Sequence, residues 1–305
     1  MGTPLVTISS AFYNTGPEIL DMVKSIFAQT FTDWELLLIN DGSSDESLAI
    51  AESVDDPRVR IYSNDRNRGR SFSLNRITEL ARGKYIARMD SDDLCSPTRI
   101  EKQVRLLESD SRLDAVSAGV IYLDKQDNPI GDMVTPKTHD EICRTPWRTI
   151  HLVHGALMAK REFFQAYPYR KDLRMAVDFN IFLRSHASVV FGNVQEPLYY
   201  YRLDTSFNLK KQFAARKYSA SFLFDYYRQN RGWCAGLRYA ANQYLKFAAT
   251  LAMFATGRRQ KLMAKRFNGI DDAKMEYYRK ELAWIKSFPL HLKTHSAAKT
   301  LEVTK

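Results

Sequence analysis

The stretch Tyr-Ile-Ala-Arg-Met-Asp-Ser-Asp-Asp at 85–93 packs three carboxylates, Asp90, Asp92 and Asp93, into four positions at the end of a β-rich run. So dense a cluster repels itself and calls for a cation or a hydrogen-bonding partner. Side chains alternate along extended chain, so Asp90 and Asp92 point roughly the same way. Hard divalent cations take oxygen ligands, and Mg²⁺ is commonly held by one or two carboxylates plus substrate phosphates. One aspartate of the pair can hold a metal while the other reaches a neighbouring hydroxyl. The competing role is structural: Asp92 and Asp93 precede a helix entered at Pro97, and aspartates often cap helices.

A second polar strand end is Leu-Leu-Leu-Ile-Asn-Asp-Gly-Ser-Ser-Asp at 36–45. A buried strand delivers Asn40 and Asp41 into a turn that Gly42 permits, and Asp45 is placed to cap the next helix. Asp41 can accept from a base N–H, while Tyr13, at a third strand end, offers a stacking face.

The elements that position these groups alternate. Strands are expected at 5–12, 34–40, 58–63 and 84–89. Helices are expected from Pro17, after 41–45, over 71–83 with Gly83 as C-cap, and from Pro97 to about Leu107. Such alternation means crossover units, a mainly parallel sheet and helices on both faces. Ligands of open α/β sheets sit at the carboxyl ends of the strands, so the three polar ends should converge in one cleft. Further on, 113–124 and 151–161 read as strands, 177–185 as a helix, and 197–203 as a strand. His151 and His154, three apart in that second strand, would face opposite ways and share no metal.

The 305-residue chain is 45% apolar and carries a net charge of +10, so a packed core is expected. The charge is uneven. Residues 205–305 hold 20 Lys and Arg against 6 Asp and Glu, whereas 1–204 are slightly acidic. This divides the chain into an α/β domain at 1–206 and a basic, aromatic-rich helical region at 207–305. The latter suits an anionic membrane surface, through aromatics such as Phe213, Phe222, Phe224, Tyr226, Tyr227 and Trp233. Its apolar run at 247–257 has only 11 uncharged residues between Lys246 and Arg258, too few to span a bilayer, and reads as a buried or interfacial helix. No nucleic-acid motif accompanies the charge, so nucleic acid is not expected as a partner. Cys95, Cys143 and Cys234 are far apart, which suits a reducing compartment. The start of the chain has no basic leader followed by an apolar stretch. A cytoplasmic protein, peripheral on the membrane's cytoplasmic face, is expected.

Together, Leu-Val-Thr-Ile-Ser-Ser-Ala-Phe-Tyr-Asn at 5–14, residues 25–47, residues 67–93 with Ser-Pro-Thr-Arg-Ile-Glu-Lys-Gln after them, and Ala-Val-Asp-Phe-Asn-Ile-Phe-Leu-Arg at 176–184 resemble the family-2 glycosyltransferases of the GT-A fold. The resemblance runs from about residue 4 to 204. It implies a metal-dependent hexosyltransferase-type enzyme. Such an enzyme moves sugar from a nucleoside diphosphate sugar, with UDP the expected nucleotide, to a glycan or lipid-linked glycan, with inversion, in cell-surface or exopolysaccharide biosynthesis. It implies a nucleotide site of Phe12, Tyr13, Asn14, Asp41, Arg70, Asp90 and Ser91. Mn²⁺ or Mg²⁺ would sit at Asp92, with Asp204 as a further ligand, and Asp178 would be the catalytic base. Ala11, Asn40, Leu74 and Val177 depart from the proline, aspartate, arginine and glutamate of many members. Asp204 stands where many have histidine. The alternatives are a metal-dependent nucleotidyl- or phosphotransferase on the same carboxylates, or a basic nucleic-acid-binding protein.

Overall fold

A computed structural model describes residues 2–203, 209–256 and 269–293. The N-terminal half alternates β1 (Val6–Phe12), α1 (Glu18–Phe27), β2 (Trp34–Asn40), α2 (Ser47–Glu52), β3 (Val59–Ser63), α3 (Arg70–Leu80) and β4 (Tyr85–Arg88). There follow β5 (Leu94–Cys95), α4 (Arg99–Ser109), β6 (Leu113–Leu123), β7 (Pro129–Met133), α5 (His139–Ile142), β8 (Met158–Lys160), α6 (Arg161–Ala166), α7 (Val177–Ser185) and β9 (Val190–Arg202). Three further helices come last: α8 (Leu209–Arg231), α9 (Trp233–Ala255) and α10 (Asp272–Lys286).

One mixed sheet runs β3-β2-β1-β4-β8-β6-β9-β5, with β7 on β6. The first four strands are parallel, as crossover helices require. The later strands β8, β7 and β5 enter antiparallel, so the parallel character stops at β4 except where β6 meets β9. Every residue of β2 is buried because helices cover both faces. Leu36 and Leu38 face one apolar cluster with Ile19, Met22 and Ile26 of α1. Leu37 and Ile39 face another with Leu74 and Ile77 of α3 and Ile181 and Phe182 of α7.

Gly83 does not cap α3. That helix ends at Leu80, with Ala81 already extended. Gly83 instead passes so close to β1 that a Cβ there would lie 2.5 Å from the Thr7 amide nitrogen. The stretch at 151–161 also differs from expectation. Only Met158–Lys160 pairs as strand; residues 151–157 turn before it, though their apolar content is strand-like.

The C-terminal helices return to the body. Tyr278, Leu282 and Ile285 of α10 share a buried cluster with Leu94, Ile121, Leu123 and Tyr200. Tyr200 Oη donates to Glu281 at 2.7 Å, and Lys274 pairs with buried Asp132. Among the described residues no helix is long and apolar enough to cross a membrane.

Candidate active site

The carboxyl ends of β1, β2 and β4 open into one cavity of about 1240 Å³, larger than the roughly 300–1,000 Å³ of ordinary ligand pockets. Tyr13, Asn14, Asp41, Arg70, Asp90, Ser91 and Asp92 all line it. The loop after β1 is laced to the loop after β2. Asn14, in a left-handed conformation at φ 49°, accepts from the Ser44 amide at 2.9 Å, and Ser47 Oγ accepts from the Thr15 and Gly16 amides. Asparagine tolerates that backbone better than most residues. The lacing leaves the Tyr13 ring half-exposed at the rim. Phe12 behaves differently: it borders the cavity, but its side chain is buried in the core. Ser91 Oγ lies 2.8 Å from Thr15 Oγ1.

Asp41 is buried and organises the loop opposite. Its Oδ1 accepts from Asn64 Nδ2 at 2.6 Å and the Arg68 amide at 2.9 Å; its Oδ2 accepts from the Gly69 amide at 2.9 Å. A carboxylate offers about four acceptor positions, so one remains for a ligand. Gly42, at φ 75°, is needed here, because a Cβ would meet the Arg66 carbonyl carbon at 2.6 Å.

The three clustered aspartates have three different environments. Asp90 Oδ1 accepts from Arg70 at 2.5 Å and from Arg88 at 2.8 Å. Burial alone would raise its carboxyl, but the two guanidiniums outweigh burial and hold it well below the usual range. Arg88 is buried and also reaches Nδ1 of His154 at 3.4 Å, while His154 Nε2 lies 2.8 Å from Tyr169 Oη. Burial keeps that imidazole neutral. Asp93 is buried and structural: it accepts from Tyr199 Oη and from the Arg202 amide, both at 2.8 Å. Burial, then the charges of Asp92 and Asp90, push its carboxyl well up. Asp92 is exposed to the cavity and takes no ion pair among the described residues; desolvation by the cavity walls and the Asp90 charge raise it too. Neither Asp92 nor Asp93 caps the following helix, whose N-cap is Thr98.

The donor set fits a hard divalent cation. Asp92 supplies a carboxylate oxygen beside the cavity whose charge is uncompensated by any cation in reach of hydrogen bonding. That is the one-carboxylate-plus-phosphate mode typical of Mg²⁺. Among the described residues no three His, Cys, Asp or Glu side chains form a complete cage. Asp204 lies outside the described residues.

Asp178 stands in the first turn of α7, half-buried, and does not line the cavity. The N-cap is Ala176, held left-handed at φ 54°, so Asp178 is not the capping residue. Its charge reaches Arg70: Asp90 first, and Asp178 after the opposing cost of partial desolvation, hold that guanidinium more firmly protonated. Leu74 and Val177, two departures from the family pattern, fall in the same buried apolar cluster. Asn40 fills its place by accepting from the Ser43 amide at 2.9 Å and donating to Ser63 Oγ.

Arg202, at the end of β9, is a site residue that sequence reading passes over. Its Nη1 donates to the Asp92 carbonyl at 2.8 Å, its Nε to Asp127 at 2.7 Å and its Nη2 to Asp21 at 2.7 Å. Lys286, ending α10, pairs with the same Asp127. The turn carrying Asp92 is thus tied to α1, to the β6–β7 turn and to the C-terminal helix. Arg202→Ala should lower unfolding stability by about 1–3 kcal/mol, because it removes the group that joins Asp21, Asp127 and the Asp92 carbonyl and leaves Lys286 alone to meet both carboxylates. Lys286→Ala, at a more exposed pair, should cost under about 1 kcal/mol. Urea denaturation compares them; equal midpoints for the two variants would show that Arg202 is no anchor.

A mixed sheet with its cavity at the strand ends and an acidic turn beside it is the architecture of the GT-A glycosyltransferases. Residues 7–167 match the sequence profile described as glycosyl transferase family 2, and the chain belongs to that family. The uncharacterized glycosyltransferase MJ1057 of Methanocaldococcus jannaschii is 28% identical over 250 residues, spanning 80% of this chain and 84% of its own. The succinoglycan biosynthesis protein ExoO of Rhizobium meliloti is 35% identical over 38% of this chain and 32% of its own length. In fold, the chain resembles S. aureus TarS 1–349 in complex with UDP-GlcNAc, at TM-score 0.62 and 12% identity over 93% of this chain and 81% of that one. It also resembles the mannosyltransferase PcManGT from Pyrobaculum calidifontis in complex with GDP-Man and Mn²⁺, at TM-score 0.56 and 16% identity over 93% and 86%.

Proposed function

We propose that this glycosyltransferase moves a sugar from a nucleoside diphosphate sugar, with UDP the expected nucleotide, to a hydroxyl of a glycan or lipid-linked glycan. The anomeric configuration inverts, and the product enters a cell-surface or exopolysaccharide. The carrying observation is the convergence of Tyr13, Asp41, Arg70, Asp90 and Asp92 on one cavity. Relatives named for polysaccharide synthesis, and structural neighbours bound to nucleotide sugars, support it.

In this reading Tyr13 stacks on the base and the remaining acceptor position of Asp41 takes a base N–H. Asp90 serves the ribose side, Ser91 and Asn14 border the same site, and Arg70 is half-exposed beside the place where diphosphate charge gathers. A divalent metal, Mn²⁺ or Mg²⁺, would be held by Asp92 and would neutralise the leaving diphosphate. Asp178 accepts the acceptor hydroxyl's proton as that oxygen bonds to the anomeric carbon and the bond to diphosphate breaks. One displacement at that carbon inverts it. Residues 1–206 would form the catalytic domain. The reading sets the work at the cytoplasmic face of a membrane, with 207–305 turned to anionic lipid.

A thermal-shift panel of nucleoside diphosphates and sugar nucleotides, with and without Mn²⁺ or Mg²⁺, tests it. A nucleotide at about 100 times its Kd stabilises the folded state by roughly 2.7 kcal/mol. UDP should raise the melting temperature more with metal than without. No shift with any nucleotide would contradict the proposal.

A further inference from the structure

Helices α8 and α9 pair along their length as a hairpin. Phe213 packs on Phe247, Tyr227 on Tyr239 and Phe224 on Trp233, with ring centroids 5.1, 4.1 and 5.4 Å apart. Buried Gln243 accepts from Arg216 at 3.1 Å between them. Those contacts use one side of α9. Its other side is apolar and uncovered: Leu237 is 58% exposed and Leu245 68%. At about 100° per residue, Leu237 and Leu245 fall within about 80° of one another, on the side of the helix turned away from Tyr239, Gln243 and Phe247. They form a single stripe along a helix about 35 Å long. Residues 241, 248 and 249, all exposed alanines, fill the gaps in that face.

Charge says what covers the stripe. The two helices carry eight Lys and Arg and one acidic residue, Asp225. A second protein chain would be met equally well by a neutral or acidic rim. A row of apolar side chains set in a basic hairpin is instead the composition that lies in an anionic lipid interface, stripe in the acyl boundary and cations among the headgroups. The hairpin is also joined to the cleft, because Lys211 in the first turn of α8 lines the cavity.

We propose that the outward stripe of α9 is the surface by which this chain lies on anionic lipid, holding the cavity mouth at the membrane. The proposal rests on the reading of 207–305 as membrane-facing and narrows it to one helix face. The test is flotation of the whole protein with vesicles of phosphatidylcholine alone and with added phosphatidylglycerol. Wild type, Leu237→Glu/Leu245→Glu and Lys210→Glu/Lys217→Glu are compared, and sedimentation velocity is run on each. Both leucines are well exposed, so the first variant should keep its circular dichroism spectrum and its nucleotide-induced thermal shift. Wild type should float with the anionic vesicles. The leucine variant should lose about tenfold or more of that partition, equivalent to about 1.4 kcal/mol, and the lysine variant should lose its preference for anionic lipid. Failure of wild type to float would overturn the reading of the whole region. Equal flotation of wild type and the leucine variant would leave that reading standing and overturn the role of α9. A concentration-dependent dimer that the leucine variant abolishes, with no flotation, would assign the stripe to a second copy of the chain and overturn the proposal.

Discussion

Asp178→Asn should leave donor and metal binding intact and lower transfer by about 10²-fold or more. Asparagine keeps the size and the hydrogen-bonding shape of aspartate but has no carboxylate to take a proton. The variant should fold normally. Asp178 is not the N-cap of α7, its carboxylate makes no hydrogen bond to another described residue, and Ala176 sets the entry of the helix. Substitutions at such positions usually change stability by less than about 0.5 kcal/mol. Stopped-assay turnover together with UDP titration separates the outcomes. Near-wild-type turnover would remove Asp178 from the role of base. A parallel loss of nucleotide affinity would make it a donor-binding residue acting through Arg70.

Asp92→Ala should abolish the metal dependence of nucleotide binding, whereas Asp93→Ala should leave much of it. The difference lies in their surroundings. Asp92 faces the cavity with no ion pair among the described residues, while both oxygens of Asp93 are bound by Tyr199 and Arg202. Asp93→Ala should instead cost about 1–3 kcal/mol of stability by stranding a buried hydroxyl and a backbone amide. Calorimetric titration of UDP in Mn²⁺ and in EDTA reads the first effect, and urea denaturation the second. Unchanged metal dependence in Asp92→Ala would show that this carboxylate does not hold the ion.

Much of this architecture is legible in the sequence because its signals are local. The strand at 34–40 and the helix at 177–185 have the bounds that their apolar patterns predict. The first is buried on both faces, and the second has a periodic stripe against the core. The polar strand ends converge because parallel strands all point their carboxyl ends one way. What fails is what depends on distant partners. Residues 151–157 are as apolar as a strand, yet they coil, buried only from His154 onward, because only Met158–Lys160 finds β4 and β6 to pair with. Gly83 looks like a cap and is needed for its approach to Thr7, 76 residues away. The run at 247–257 reads as buried or interfacial; its part within α9, where Phe247 packs on Phe213 of α8 and Leu251 is exposed, takes that place from tertiary packing alone. Arg88 was within reach, since it stands two residues before Asp90 and alternation sends both to one side. Arg202 was not: it reaches Asp92 across 110 positions with no periodic signal between them.

The central claim is inverting sugar transfer from a nucleoside diphosphate sugar, and proton NMR of a single reaction tests it most directly. Wild-type protein is incubated with an α-linked UDP-sugar, Mn²⁺ and a glycan acceptor, and the new anomeric signal and the released phosphorus species are read together. The expected product is β-linked, identified by its large anomeric coupling where the sugar permits, with UDP released in equal amount and no pyrophosphate. An α-linked product would contradict inversion and the role given to Asp178. Release of pyrophosphate or of free nucleoside monophosphate would contradict glycosyl transfer itself and assign the carboxylates to nucleotidyl or phosphoryl chemistry.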